Sequence, residues 1–85
     1  MLIQLPPIEP ELLVVGERLR GLREARSLGT GALAEAMGVS RETLALAERG
    51  RARLSAGELH KATLALRVPM RLLFETADLS QLRPL

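Results

Sequence analysis

The sequence predicts an all-α fold, a compact bundle of five short helices in a single domain. Leucine and alanine are abundant and β-branched runs are few, which favours helices over strands. With a single aromatic residue, Phe74, the core must be built from Leu, Val, Ala and Met. Apolar residues recur three and four positions apart, the spacing of one helical face. At 85 residues, the chain is just long enough to bury such a core without metals or disulfides.

The first helix is expected to begin near Glu11, after an apolar and proline-rich arm over residues 1–10. Prolines in this arm forbid an early helix, and Pro10 fits at or just before the first helical turn. The helix should end around Ser27. Its core-facing residues are spaced by three and four along the chain: Leu12, Val15, Leu19, Leu22 and Arg26.

Two short helices, Gly31–Met37 and Arg41–Arg49, are joined by a turn over residues 38–40. Gly38 suits the left-handed conformation that ends a helix, and Ser40 suits the cap that begins the next. Val39 lies between them as the apolar residue that ties the turn to the core. Two helices joined by a short, glycine-containing turn form a helix-turn-helix arrangement.

Both helices of this arrangement should present one side to the core. Thr30 is the best available cap for helix two, and Gly50 stops helix three. The core-facing residues are Leu33, Ala34 and Met37 in helix two, and Leu44 and Ala47 in helix three.

The remaining helices have clear starting signals. Ser55 and Glu58 form a capping box, and helix four follows to about Leu66. Pro69 opens a short fifth helix. The inward residues are Leu59, Ala62, Thr63 and Leu66 in helix four, and the fifth helix carries Leu72, Leu73 and Phe74. The predicted domain therefore covers residues 11–76, with a C-terminal tail over residues 77–85.

Composition excludes several classes of protein. The chain has no cysteine, so a disulfide framework and a cysteine-based zinc site are both impossible. No apolar run approaches the roughly 18 residues of a membrane span, and no secretory signal is present, so we expect a cytoplasmic, nucleoid-associated protein. His60 is the only histidine and has no nucleophile or metal ligand at a usable spacing. We therefore expect no enzyme activity, no catalytic residue, no metal and no cofactor.

The charge pattern has two interpretations. The formal net charge is only +2, but a single lysine accompanies many arginines. Arginine is favoured where phosphate or guanine is recognised by a planar group. A GC-rich genome would give the same bias, and so small a net charge is weak support for nucleic-acid binding.

An ordered set of short motifs resembles one known family. The motifs are Gly16-Glu17-Arg18-Leu19-Arg20, Leu33-Ala34, Gly38-Val39-Ser40, Thr43-Leu44, Glu48-Arg49-Gly50, Leu66-Arg67-Val68-Pro69 and Leu73-Phe74. Together they resemble the lambdoid phage repressor-like helix-turn-helix domain, or Xre family, from about Val15 to Phe74. The resemblance implies a sequence-specific regulator of transcription, usually a repressor that binds an inverted repeat in double-stranded DNA as a homodimer. It also implies a structural ion pair between Arg23 and Glu48.

The candidate DNA contacts fall into two groups. Helix N-termini can hold phosphates through free N–H groups, which makes Thr30, Gly31 and Ser40 candidates, with Thr43 beside them. The resemblance assigns the same role to residues just after helix three. These are Arg49, Arg51 and Arg53. Base contacts would come from Arg41, Glu42, Ala45 and Leu46. An arginine can pair with guanine and a glutamate can accept from cytosine, whereas an apolar side chain can contact only a thymine methyl.

The sequence departs from the family in the helix that should contact bases. Thr30 stands where many members carry a glutamine that braces phosphate and a neighbouring side chain. Ala45 and Leu46 stand where members usually carry polar or basic residues. Two interpretations follow. Either the domain binds DNA mainly through its arginines, or the fold serves as an antitoxin-like or co-regulator module that binds a protein through an exposed Leu46. The flanking arginines favour DNA.

The apolar ends of the chain suggest a further role. Residues 1–5 could form a short strand that pairs with a partner subunit, and Leu79, Leu82 and Leu85 could pack on the same side. Equally, both ends could cover the core of their own domain. Dimerisation through the arm or the tail is therefore one of two expectations.

Overall fold

The computed structural model describes residues 6–74 as four α-helices and one short 3-10 turn. The helices are α1 (Pro10–Ala25), α2 (Thr30–Met37), α3 (Arg41–Glu48) and α4 (Ala56–Leu66), and the turn is Met70–Leu73. The all-helical fold predicted from the sequence is confirmed for these residues. The proposed strand over residues 1–5 and the leucines of the tail lie outside the described residues. None of the described helices is long and apolar enough to cross a membrane.

The core is aliphatic and lies where the four helices meet. α1 packs on α3 and on the 3-10 turn, while α2 packs on α3 and α4. Every core-facing residue predicted for the helix-turn-helix is buried. The core cluster consists of Leu19, Leu22, Leu33, Ala34, Met37, Leu44, Ala62, Leu66, Val68 and Leu73.

α4 is held at both of its ends by side chains. The capping box is confirmed at its start, where Ser55 Oγ accepts from the Glu58 N–H at 3.0 Å and the Glu58 carboxylate accepts from the Ser55 N–H at 2.8 Å. At its end, the Arg26 guanidinium donates to the carbonyls of Leu66 at 2.8 Å and Arg67 at 3.0 Å. Arg26 therefore ties the end of α1 to the last carbonyls of α4, which the helix itself leaves without donors.

The predicted fifth α-helix is wrong. The four residues after Pro69 form a single 3-10 turn, because so short a segment closes i to i+3 bonds rather than α-helical ones. Its Leu73 is buried as expected. Phe74 instead follows the turn and is 55% exposed, so the only aromatic residue contributes little to the core.

Three helix boundaries also differ from the sequence prediction. Gly29 occupies the cap position of α2, and Thr30 is already helical, so Thr30 does not cap the helix. α1 ends at Ala25 rather than near Ser27, which has φ +57° and therefore lies in the left-handed region. α3 ends one residue earlier than predicted, with Arg49 as its C-terminal cap.

Candidate nucleic-acid interface

The turn between α2 and α3 has the geometry expected of a helix-turn-helix. Gly38 has φ +73°, a left-handed conformation that glycine adopts without steric cost. The N–H groups of Gly38 and Val39 donate to the carbonyls of Glu35 and Ala34 at 3.1 and 3.0 Å, which closes the last turn of α2. Val39 is half-buried against the core. The turn therefore fixes α3 relative to α2.

Ser40 caps α3 as predicted. Its Oγ accepts from the Thr43 N–H at 3.0 Å and donates to Thr43 Oγ1 at 2.9 Å. α2 differs, because its cap residue is Gly29, which has no side chain to accept from the first amides. The first N–H groups of a helix have no partner within it, so those of Thr30 and Gly31 are available to an external acceptor.

A buried ion pair joins α1 to the end of α3. Arg23 Nε and Nη2 donate to Oε2 and Oε1 of Glu48 at 2.8 and 3.1 Å, and Arg23 Nη1 donates to the Leu28 carbonyl at 3.0 Å. The side chains of Arg23 and Glu48 are only 12% and 7% exposed. The hydrogen bond to Glu48 raises the pKa of Arg23 above its ordinary value against the opposing effect of desolvation. The two-point contact fixes both the spacing and the orientation of α1 and α3.

The outward face of α3 is polar at its start and apolar further along. Arg41 and Glu42 are exposed, whereas Ala45 and Leu46 are half-buried. The expectation of an exposed Leu46 is therefore wrong, since part of that side chain is covered. Among the described residues, the exposed large apolar side chains are Ile8, Val14, Leu64 and Phe74, and none of them lies on α3.

The three arginines after α3 have different surroundings. Arg49 is exposed at the end of the helix. Arg51 Nη1 donates to the Pro6 carbonyl at 2.9 Å, and Arg53 Nη2 lies 3.4 Å from Oε2 of Glu9. Arg51 and Arg53 thus contact the segment that precedes α1. Of the three, only Arg49 lies beside Thr30 of α2 and Ala45 of α3.

A polar cavity of about 200 Å³ lies beside α3. Its walls are formed by Arg20, Arg23, Thr30, Ala45, Glu48 and Arg49. Arg20 is the residue of this cluster that the sequence prediction missed. Its position three residues before Arg23 would have placed it on the same side of α1, because residues three apart are neighbours on a helix surface. It pairs with Glu24 at 3.4 Å in an exposed contact.

Within residues 6–74, no group of three or more acidic, histidine or cysteine side chains is placed to hold a metal ion. His60 is exposed on α4. The polar residues that the structure brings together are instead the cations and helix ends around α3.

Comparison with known proteins places this geometry in a family. A family model described as a helix-turn-helix domain matches residues 14–75. The chain belongs to this helix-turn-helix family. The resemblance to phage repressor-like domains is likewise confirmed by solved structures of that type.

Three relatives illustrate the match. An HTH-type transcriptional regulatory protein of Methanocella arvoryzae is 43% identical over 65 residues, which cover 71% of this chain and 20% of that protein. The chain thus spans about a fifth of the length of that relative. The restriction-modification controller protein C.AhdI of Aeromonas hydrophila superimposes with a TM-score of 0.73 at 35% identity, over 78% of this chain and all of the other. SinR, a master regulator for biofilm formation solved in complex with DNA, gives a TM-score of 0.65 at 27% identity over 72% and 98% of the two chains. SinR has also been solved in a complex with SinI.

Proposed function

We propose that this domain binds double-stranded DNA and regulates transcription, with α3 in the major groove. The main observation that supports this proposal is the composition of the outward face of α3, where Arg41 and Glu42 are exposed and the apolar Leu46 is partly covered. A helix in the major groove reads bases through exposed polar side chains near its N-terminus. The likeness to SinR, which has been solved with DNA, supports the same arrangement.

In the proposed complex, contacts to phosphates supply affinity and contacts to bases supply specificity. Phosphates would be held by the first amides of α2 at Thr30 and Gly31, by Ser40 and Thr43 at the start of α3, and by Arg49. Bases would be read by Arg41, which can pair with guanine, and by Glu42, which can accept from cytosine. Ala45 and Leu46 would contribute at most a contact to a thymine methyl.

Two further arginines, Arg51 and Arg53, remain proposed phosphate contacts, but the structure supports them less than Arg49 because both already contact other residues of the domain. To reach DNA, Arg51 would give up its bond to Pro6 and Arg53 its contact with Glu9. Arg20 offers an additional cation, because it lines the same cavity as Thr30 and Arg49.

We further propose that the domain acts as a repressor, bound as a homodimer to an inverted repeat. One α3 helix supplies only two exposed polar side chains for base contacts, and two-fold pairing doubles that number. Dimeric helix-turn-helix proteins place their recognition helices one DNA turn apart, so the half-sites should be about 10 base pairs apart, centre to centre.

A salt titration tests the proposed function. We expect the protein to bind duplex DNA with an affinity that falls as salt rises, with a slope of about −0.9 in log K against log salt for each phosphate contact. Fluorescence anisotropy between about 50 and 200 mM salt measures this slope. A titration above the dissociation constant should give two chains per duplex. Absence of binding even at low salt would contradict the proposal.

The two arginines at opposite ends of α3 should have different effects on DNA binding. We expect Arg41→Ala to remove preference at one base position and cost about 1–3 kcal/mol for the preferred site. Arg49→Ala removes the same charge but should weaken all sequences alike, since a phosphate contact carries no base information. Competition with a panel of single-position variants of the preferred site measures both. A sequence-selective loss in Arg49→Ala would reverse the two assignments.

The second candidate function is a protein-binding module, antitoxin-like or co-regulatory. The complex of SinR with SinI favours it, because it shows a relative of this chain engaged by another protein. The half-buried position of Leu46 weighs against α3 as the protein-binding surface. The salt titration separates the two functions, since a module of this kind binds duplex DNA weakly or not at all.

A further inference from the structure

The side chain of Arg41 lies against the backbone of α2 at Gly31. A Cβ atom placed on Gly31 would stand 2.5 Å from Nη2, 2.6 Å from Nε and 2.9 Å from Cζ of Arg41. Real Cβ atoms do not come this close to other heavy atoms, so no residue except glycine leaves room for the guanidinium at this place. Arg41 starts α3 and Gly31 is the second residue of α2, and the contact therefore crosses the helix-turn-helix.

The backbone itself does not require glycine at position 31. The residue lies inside a helix, and positive φ angles among the described glycines occur only at Gly38 and Gly50. Glycine weakens a helix relative to alanine. The three nearest atoms that a new Cβ would meet all belong to the flexible Arg41 side chain, whereas at Gly16 and Gly50 they include backbone atoms. Folding alone would thus favour alanine here, and what glycine provides is space for Arg41.

We propose that Gly31 is a positioning residue that sets the direction of the Arg41 guanidinium and thereby the base preference of α3. This inference rests on the proposed function, in which Arg41 pairs with a base. Arg41 is exposed, and a long exposed side chain has many rotamers of similar energy. Contact with Gly31 on one side restricts that choice before DNA is bound. A group held in its binding direction loses less conformational freedom on association.

Gly31→Ala tests the inference, and Gly57→Ala is its matched control. Gly57 is also the second residue of its helix, α4, but a Cβ there would meet only Ser55 Oγ at 3.9 Å, an ordinary contact. Both changes add one methyl group to the first turn of a helix. Both variants should unfold at or above the temperature of the unchanged protein, because alanine is the better helix former.

The DNA measurement is selection of bound sites from a randomised duplex library. A bidentate arginine–guanine pair discriminates against other bases by about 5- to 150-fold. We expect Gly31→Ala to reduce the discrimination at the position read by Arg41 by at least about fivefold. Gly57→Ala should keep the preference of the unchanged protein. An unaltered preference in Gly31→Ala would overturn the inference while leaving the proposed function intact.

A double-mutant cycle with Arg41→Ala shows whether Gly31 acts through Arg41. If it does, adding Gly31→Ala to Arg41→Ala causes no further change in preference. Alternatively, Gly31→Ala could lower the affinity for all DNA sequences equally, and by the same amount with or without Arg41→Ala. That result would mean that the new methyl group obstructs a phosphate at α2, and it would overturn the inference.

A measurement without DNA separates failure of the inference from failure of the proposed function. In nuclear magnetic resonance spectra of the free protein, the Nε–H signal of Arg41 should shift in Gly31→Ala and stay in place in Gly57→Ala. An unmoved signal would overturn the contact itself. If the signal shifts but the unchanged protein binds no duplex, the proposed function is overturned, and the role of Gly31 in base preference is overturned with it.

Discussion

Glu48→Ala should lower the free energy of unfolding by about 3–5 kcal/mol, the largest effect expected of any single change considered in this domain. The substitution removes the carboxylate partner of Arg23, whose side chain is only 12% exposed in the intact pair. Removing one member of a buried pair costs this much because the remaining charge is no longer compensated. A domain of this size has a total stability of about 4–13 kcal/mol, so the variant could lose a large share of its folded population. Chemical denaturation followed by circular dichroism measures the loss.

Control variants identify burial as the cause. Glu24→Ala breaks the Arg20–Glu24 pair, whose side chains are 59% and 58% exposed, and should change stability by less than about 1 kcal/mol. Glu48→Gln keeps an acceptor for Arg23 and should fall between Glu48→Ala and the unchanged protein. If Glu48→Ala and Glu24→Ala had the same small effect, Glu48 would have to be solvated. Where Glu48→Ala remains folded, its base preference should be unchanged, since Glu48 is buried against Arg23 and is not among the proposed base contacts.

Arg23 should stay charged across the pH range of ordinary experiments. Its hydrogen bond to Glu48 raises the pKa of Arg23 above a value that is already far from neutrality. A raised pKa contributes stability that is present below the ordinary value and is lost only as pH rises through the higher one. Arg23 therefore stays charged, and available to its carboxylate partner, around neutral pH.

Features determined by neighbouring residues were predicted most accurately from the sequence. The left-handed Gly38, the Ser40 cap and the Ser55–Glu58 capping box each depend on a residue type at a fixed offset from a helix end. Helical spacing identified the buried leucines for the same reason. The pairing of Arg23 with Glu48 came from the family resemblance, because helical periodicity does not say which helices meet.

The errors and omissions involve contacts between distant residues. Arg26 was placed on the core face of α1 by spacing, but its role in binding the end of α4 depends on residues about 40 positions later in the chain. Leu46 has an outward position on α3 and is nevertheless half-buried. The contact between Gly31 and Arg41 joins two helices, and neither residue type alone predicts it. Such contacts depend on the angle between helices, which the sequence pattern does not specify.

Gly16→Ala should lower the free energy of unfolding by about 1–3 kcal/mol, because α1 and α3 approach each other at this glycine. A Cβ atom at Gly16 would overlap the carbonyl oxygen of Ala47 and lie 3.0 Å from the carbonyl carbon and oxygen of Glu48. These are backbone atoms, so relief requires α1 and α3 to separate rather than a side chain to move. Separation would also lengthen the Arg23–Glu48 pair, which joins the same two helices.

A glycine-to-alanine substitution at a position with free space should instead raise the free energy of unfolding. Alanine is favoured over glycine within a helix by about 1 kcal/mol, and Gly57→Ala should gain up to that amount because a Cβ at Gly57 meets nothing closer than 3.9 Å. Thermal and chemical unfolding of the two variants would thus move in opposite directions from the unchanged protein. If Gly16→Ala were as stable as Gly57→Ala, α1 could not lie this close to the end of α3. The buried ion pair would then lack the short helix separation that its two hydrogen bonds require.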